Sequence, residues 1–213
     1  MRALVFLGVV ALSLPARIGH AATIYSDLGA GNSYSSSIWI VQGSGIFPGL
    51  YEDADPFTPL FSGALTQIDV PLECQGPSCS VTISLDSDSA GLPGGILASW
   101  TLSGLPVSGT LETVTASSPV SLSAGTQYWI VLSPPFSSSG AGWFTNDIGV
   151  SGMYQNTGSG WAALSGSFTI TAGAFDVQGV PEPSSIRLFA GGMGILALLK
   201  AARRISHTSR FLN

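Results

Sequence analysis

"TQYWIVL", Thr126–Leu132, decides the fold class. Successive side chains of a strand point to opposite faces. Tyr128, Ile130 and Leu132 therefore share one face, and Trp129 and Val131 share the other. Both faces are apolar, as in a central strand covered on both sides. Around it the hydrophobic pattern alternates with period two. "CSVTISL" (Cys79–Leu85) groups Val81, Ile83 and Leu85 opposite Thr82 and Ser84. "ALTQIDVPL" (Ala64–Leu72) sets Ala64, Thr66, Ile68, Val70 and Leu72 against Leu65, Gln67, Asp69 and Pro71. Ser37–Val41, Ile96–Leu102, Thr110–Ala116, Gly142–Asn146 and Phe168–Thr171 are further predicted strands.

Gly, Pro, Ser and Asp clusters break these runs about every ten residues, as turns between short strands do. No long amphipathic helix intervenes. The expected fold is all-β, an antiparallel β-sandwich of jelly-roll-like order. A β-solenoid is the alternative, but it requires a fixed repeat, and the chain has none.

Charge narrows the chemistry. Charged residues make up 9% of the 213 residues, against roughly 25% in an ordinary domain. All seven basic residues (Arg2, Arg17, Arg187, Lys200, Arg203, Arg204 and Arg210) and both histidines, His20 and His207, lie outside Ala22–Gly179. That span carries eleven acids and no base, a net charge of −11. Nucleic-acid binding needs cations to displace phosphate counterions, so it is excluded. So are a lysine-bearing phosphate cradle, a Ser-His-Asp relay and histidine-ligated zinc. Carboxylates, hydroxyls, amides, aromatic rings and a hard cation such as calcium remain.

The two ends read as addresses. Residues 1–21 have a basic start, an apolar run Ala3–Leu14, the breaker Pro15 and small residues before Ala22, which together make a secretory signal peptide. The exported domain is expected over 22–179. Beyond it, Ile186–Leu199 is apolar except for Arg187 and, with Ser184 and Ser185, reads as a short transmembrane helix. Lys200, Arg203 and Arg204 follow and hold residues 205–213 in the cytoplasm by the positive-inside rule.

The segment 180–204 resembles the PEP-CTERM sorting signal of Gram-negative bacteria. Val180, Pro181, Glu182, Pro183 and Ser184 carry the motif, followed by the apolar stretch and the basic cluster Lys200, Arg203 and Arg204. Arg187 interrupts the usual uninterrupted apolar run. The resemblance implies recognition by an exosortase at the inner membrane, removal of the tail, and delivery to the cell surface or the exopolysaccharide matrix of a biofilm. A second stretch, Leu65–Gly160, is similar to the choice-of-anchor R domain of surface proteins. "DSDSAGLPG" between two strands and "LSAGTQYWIVL" carry that likeness. It implies no catalytic residues.

"CQGPSC" joins two predicted strands, and in an exported chain Cys74 and Cys79 are expected to form a disulfide that fixes the hairpin. Asp86 and Asp88 in "DSDSAG" have the spacing of a calcium loop but lack its remaining ligands, so they read as a solvated turn with calcium as the open alternative. "YEDADP" (Tyr51–Pro56) reads as a solvated loop; Asp53 or Asp55 would be the carboxylates of a hydrolase, but nothing marks a partner. Trp143 and Trp161 sit among glycines and are the candidate glycan-stacking rings, whereas Trp129 is expected in the core. The expected protein is non-catalytic, with a surface carbohydrate-binding module as the alternative.

Overall fold

The computed structural model describes residues 20–165 and 170–182. These form thirteen strands and, among the described residues, no helix. In chain order the strands are β1 (Ala22–Ser26), β2 (Ile38–Gln42), β3 (Glu52–Phe57), β4 (Gly63–Cys74), β5 (Ser80–Asp88), β6 (Pro93–Ser103) and β7 (Thr110–Thr115). They continue with β8 (Ser121–Leu122), β9 (Tyr128–Ser133), β10 (Gly140–Phe144), β11 (Tyr154–Asn156), β12 (Trp161–Ala163) and β13 (Asp176–Pro181).

Two antiparallel sheets form a sandwich. The first runs β1-β13-β4-β10-β2, with β7 and β8 also paired to β4; the second runs β12-β11-β3-β9-β5-β6. Between them lies the main core. Ile68, Val70, Leu72, Val177 and Trp143 meet Ile83, Leu85, Ile130 and Leu132 there, each under 1% exposed. β9 is central, between β3 and β5, and its two faces are covered as its sequence predicts. Ile130 and Leu132 enter the main core, while Trp129 and Val131 join Ala54 in a smaller cluster on the outer face, under Tyr154 and Trp161.

The alternation of Ile68, Val70 and Leu72 holds, but Leu65 is buried with them. The register explains this. Gln178 opposes Gln67 and Gly179 opposes Leu65, so Thr66 is an extra residue on β4 that reverses the phase. The disulfide Cys74–Cys79 closes the β4–β5 turn.

Four expectations are corrected. Tyr51–Pro56 is not a solvated loop: β3 runs through it, paired with both β9 and β11. Asp86 and Asp88 lie in β5, because pairing with β6 continues as far as Asp88–Pro93 and leaves only the tip as a turn. The last strand continues past Gly179, with Val180 opposite Ala64 and Pro181 opposite Gly63. Trp143 is fully buried, because its neighbours on β10 pair with both β4 and β2. Of the predicted strand Phe168–Thr171, residues 168 and 169 lie outside the described residues, and Thr171 forms a single bridge with Ser151. The signal peptide up to residue 19, the Ile186–Leu199 helix, Pro183, Ser184 and the cluster Lys200, Arg203 and Arg204 also lie outside them.

Candidate functional site

Three places gather the residues able to do chemistry. The first is inside the sandwich. On β3, Asp53, Asp55 and Phe57 share one face, and their partners on β9, Leu132, Ile130 and Tyr128, are core residues. Two carboxyl groups therefore point toward an apolar interior in which no Lys or Arg among the described residues meets them. Asp53 is 0% exposed and Asp55 1%. Asp27, just past β1, is 0% exposed.

Their partners are backbone amides and one side-chain amide. Gly173 N donates to Asp55 Oδ2 at 2.5 Å, and Phe175 N donates to Asp27 Oδ1 at 2.6 Å. Gln155 Nε2, directly opposite Asp53 on β11, donates to its Oδ1 at 2.9 Å. The segment from Thr171 to Phe175 shows why these acids are needed. Along one edge, Ala174 N donates to Phe144 O, and Ala172 N to Val150 O. Along the other edge no strand among the described residues supplies carbonyls to Gly173 N and Phe175 N, and the two carboxyl groups stand in for them. Indole groups bind the same segment: Trp39 Nε1 donates to Thr171 O at 2.8 Å and Trp143 Nε1 to Ala174 O at 2.9 Å. Gly173 lies so close to the Trp143 ring that a Cβ there would overlap it.

Burial governs the protonation of these acids. Desolvation pushes Asp27 and Asp53 from an ordinary 3.8 up to about 7. It pushes Asp55 well above the ordinary value, with the charges of Asp27 and Asp53 adding to the rise. Their hydrogen bonds pull the other way without reversing the shift. Asp27 Oδ2, Asp53 Oδ2 and Asp55 Oδ1 have no hydrogen-bond partner among the described residues. Chemically, this arrangement favours protonated acids that anchor a backbone segment. A glycosidase instead needs two carboxyl groups facing a cleft that a sugar can enter.

The second place is the outer face of the second sheet. Trp129 meets Tyr154 edge-on, with centroids 4.9 Å apart, and Trp161 packs beside them half-buried. Asn156, opposite both Trp161 and Glu52, donates through Nδ2 to Glu52 Oε2 at 2.7 Å. Asp88 is exposed and fully engaged. Its Oδ1 accepts from Trp129 Nε1 at 2.9 Å and Gln127 Nε2 at 2.8 Å, and its Oδ2 from Gly91 N at 3.1 Å. Those donors hold its pKa below the ordinary value, the Trp129 bond most of all. Asp86, two residues earlier, is 6% exposed, and burial raises its pKa. The two acids suggested for calcium are thus in opposite environments. Among the described residues, no three His, Cys, Asp or Glu side chains come together as a metal site. Trp161 is half-buried, whereas Trp143 is fully buried.

The third place is where the first and last strands meet. Ala22 pairs with Gly179, so the start of β1 and the end of β13 lie side by side. Val180 and Pro181 belong to the sheet, and Glu182 N donates to Ser62 O at 3.2 Å. Trp129, Cys74 and Cys79 were legible from sequence. The buried roles of Asp27 and Asp55 were missed. For Asp55 the signal was present, because Asp53, Asp55 and Phe57 alternate with Glu52, Ala54 and Pro56. For Asp27 there was none. No family model matches the chain, and no curated protein matches it.

Proposed function

We propose that the protein is a non-catalytic, exported protein of the cell surface or extracellular matrix of a Gram-negative bacterium, sorted by an exosortase and associated with exopolysaccharide or biofilm. In this reading a signal peptide and a PEP-CTERM tail, with its transmembrane helix, flank a single choice-of-anchor R-like domain of jelly-roll-like order. The tail holds the chain transiently at the inner membrane. One observation carries the reading: the acidic, base-free domain brings its two ends together at Ala22 and Gly179, where both addresses attach. The burial of Asp53 and Asp55 supports the non-catalytic part, since both carboxyl groups are engaged with Gln155 and Gly173 rather than facing a cleft.

The test is the intact mass of the protein recovered from its host's surface and medium. A chain beginning near Ala22 and ending near Pro181–Pro183 is expected. A mass that retains Arg203 and Arg204 makes the tail a permanent anchor and overturns sorting by cleavage. The half-buried pair Tyr154 and Trp161 favours a second reading, a surface carbohydrate-binding module. Loss of glycan binding in Trp161→Ala is its expected outcome.

A further inference from the structure

The outer face of the first sheet carries another pair of acids, apart from the core cluster and from Asp88. Ile68 on β4 and Val177 on β13 oppose each other and face the core, so alternation turns their neighbours Asp69 and Asp176 outward. Those two acids are directly opposite in the register. The row continues on both sides: Thr113 of β7 opposes Asp69, and Ser26 of β1 opposes Asp176. In the adjoining row of the same face, Gln67 opposes Gln178. Four strands thus bring six oxygen-bearing side chains to one patch.

Like charges directly opposite on neighbouring strands destabilise a sheet. This pair is also shielded from water, with Asp69 5% exposed and Asp176 7%. Asp69 is well supplied with donors. Thr113 Oγ1 donates to its Oδ1 at 2.6 Å, Gln67 Nε2 to both of its oxygens at 2.8 Å, and Gln178 Nε2 to its Oδ2 at 3.3 Å. Asp176 is not: its buried Oδ2 has no hydrogen-bond partner among the described residues. A buried carboxylate oxygen is costly unless a donor or a positive charge meets it. The opposite residue, Asp69, is itself an acceptor, and Ala22–Gly179 contains no Lys, Arg or His to fill the role.

The donor set defines the ion it suits. Two carboxylates balance a divalent charge, and the other four side chains offer amide and hydroxyl oxygens. No imidazole or thiolate is present to select zinc or copper. Calcium takes about six to eight oxygens in flexible geometry, whereas magnesium demands a tighter octahedron and keeps its waters. The glutamines serve either state. A half turn of a terminal amide exchanges Nε2 for Oε1, so the side chains that donate to Asp69 can present carbonyl oxygens to a cation instead.

We propose that Asp69 and Asp176, with the side-chain oxygens of Gln67, Gln178, Thr113 and Ser26, form a calcium site on the outer face of the first sheet. The cation ties β1, β13, β4 and β7 along one row and so fastens the first and last strands to the body of the sheet. Two carboxylates among neutral ligands place the site with the weak calcium modules of extracellular proteins, with a Kd of about 0.1 to 1 mM. That such a site fills only after export rests on the reading above; the site itself does not.

The test is the melting midpoint of the full chain in non-ionic detergent, first in chelator and then in calcium chloride up to about ten times the upper end of that Kd range. The midpoint is expected to rise by roughly 5 °C toward saturation, and by clearly less in magnesium. Asp176→Asn should abolish the rise. In chelator it should melt at or above the wild-type midpoint, because it removes one of two opposed charges, and this shows that it folds. Thr113→Val should raise the half-saturating calcium concentration several-fold, and Asp88→Asn should respond as wild type does. No rise in wild type overturns the proposal. An equal rise in magnesium or in Asp176→Asn also overturns it, as the general response of an acidic domain to divalent cations. A rise lost in Asp88→Asn and kept in Asp176→Asn overturns it and moves the site to Asp86–Gly91.

Discussion

Glu52–Phe57 and Asp86–Gly91 are both short acidic stretches, and from composition alone they are alike. In the fold they are opposites. Asp53 and Asp55 face the core, nearly free of solvent contact, and a side-chain amide and a backbone amide hold them. Asp88 stands in solvent at the end of β5 and gathers three donors around an ionised carboxylate. The comparison teaches that the partner strand decides the role of an acid. β3 has strands on both sides, so alternation sends every second residue inward whatever its polarity. Past Asp88, β5 runs out of partner, and its acid turns to the solvent.

The largest expected effect is on stability against pH. A carboxyl group whose pKa is 3.8 when unfolded and about 7 when folded binds its proton more tightly in the native state. Stability is then full below about pH 4, falls as the pH rises from 4 to 7, and levels off above 7. Asp27 and Asp53 together give a loss on the order of several kcal/mol across that window, at about 1.4 kcal/mol for each pKa unit. Chemical denaturation at pH 4.5 and at pH 8 measures it, and Asp27→Asn with Asp53→Asn should flatten the profile. A domain more stable at pH 8 than at pH 4.5 would break the comparison, since it would make the buried acids behave like Asp88.

Next in size is Asp55→Ala. It strips the buried Gly173 amide of its acceptor and leaves a void, at a cost of about 3 kcal/mol. Asp55→Asn keeps an acceptor oxygen in the same place and should cost clearly less than Asp55→Ala, because burial raises the carboxyl pKa and so favours the neutral form that the amide resembles. Equal losses in the two variants would mean that Asp55 acts as an ion. Gly173→Ala probes the same strand segment from its Trp143 side. The added methyl meets the ring and should cost about 2 kcal/mol, within the range of overpacked cores. Near-ultraviolet circular dichroism of Trp143 should report the displaced ring.

Much of the sandwich was legible because burial leaves a period-two trace. β5 and the second half of β4 follow their apolar alternation, β9 is marked by a run apolar on both faces, and Cys74 with Cys79 marks the hairpin between β4 and β5. Where that trace is broken, the sequence misleads for identifiable reasons. The extra residue Thr66 reverses the phase of β4, and no composition signal announces a bulge. The alternation of β3 is present but written in acids, which hydrophobicity cannot detect. Trp143 follows a glycine and looked exposed, yet the small Gly173 packed against its ring is what lets a distant stretch of chain close over the indole. Asp27 lies in a connection, and its amide partner Phe175 is distant in sequence; only the assembled fold brings them together.

The smallest effect, and the sharpest use of the comparison, belongs to Asp88→Asn. The new side chain keeps an oxygen for Trp129 and Gln127 but places an amide against Gly91 N, where two donors then face each other. The deficit should be slight at pH 7, because the site is open to water. Its pH dependence carries the information. A carboxylate with a lowered pKa stabilises the fold above its unfolded value of about 3.8 and loses that contribution as the pH falls through the folded value. The gap between wild type and Asp88→Asn should therefore close only as the pH falls below about 3.8, whereas the buried acids gain stability as the pH falls from about 7 to about 4. Two acids of the same type, on strands of one sheet that flank β9, would then titrate with opposite sign. Calcium offers the strongest challenge. If millimolar calcium raised the melting midpoint of wild type but not of Asp88→Asn, this exposed stretch would be a cation site, and hydrogen bonds to Asp88 would no longer account for its difference from Asp55.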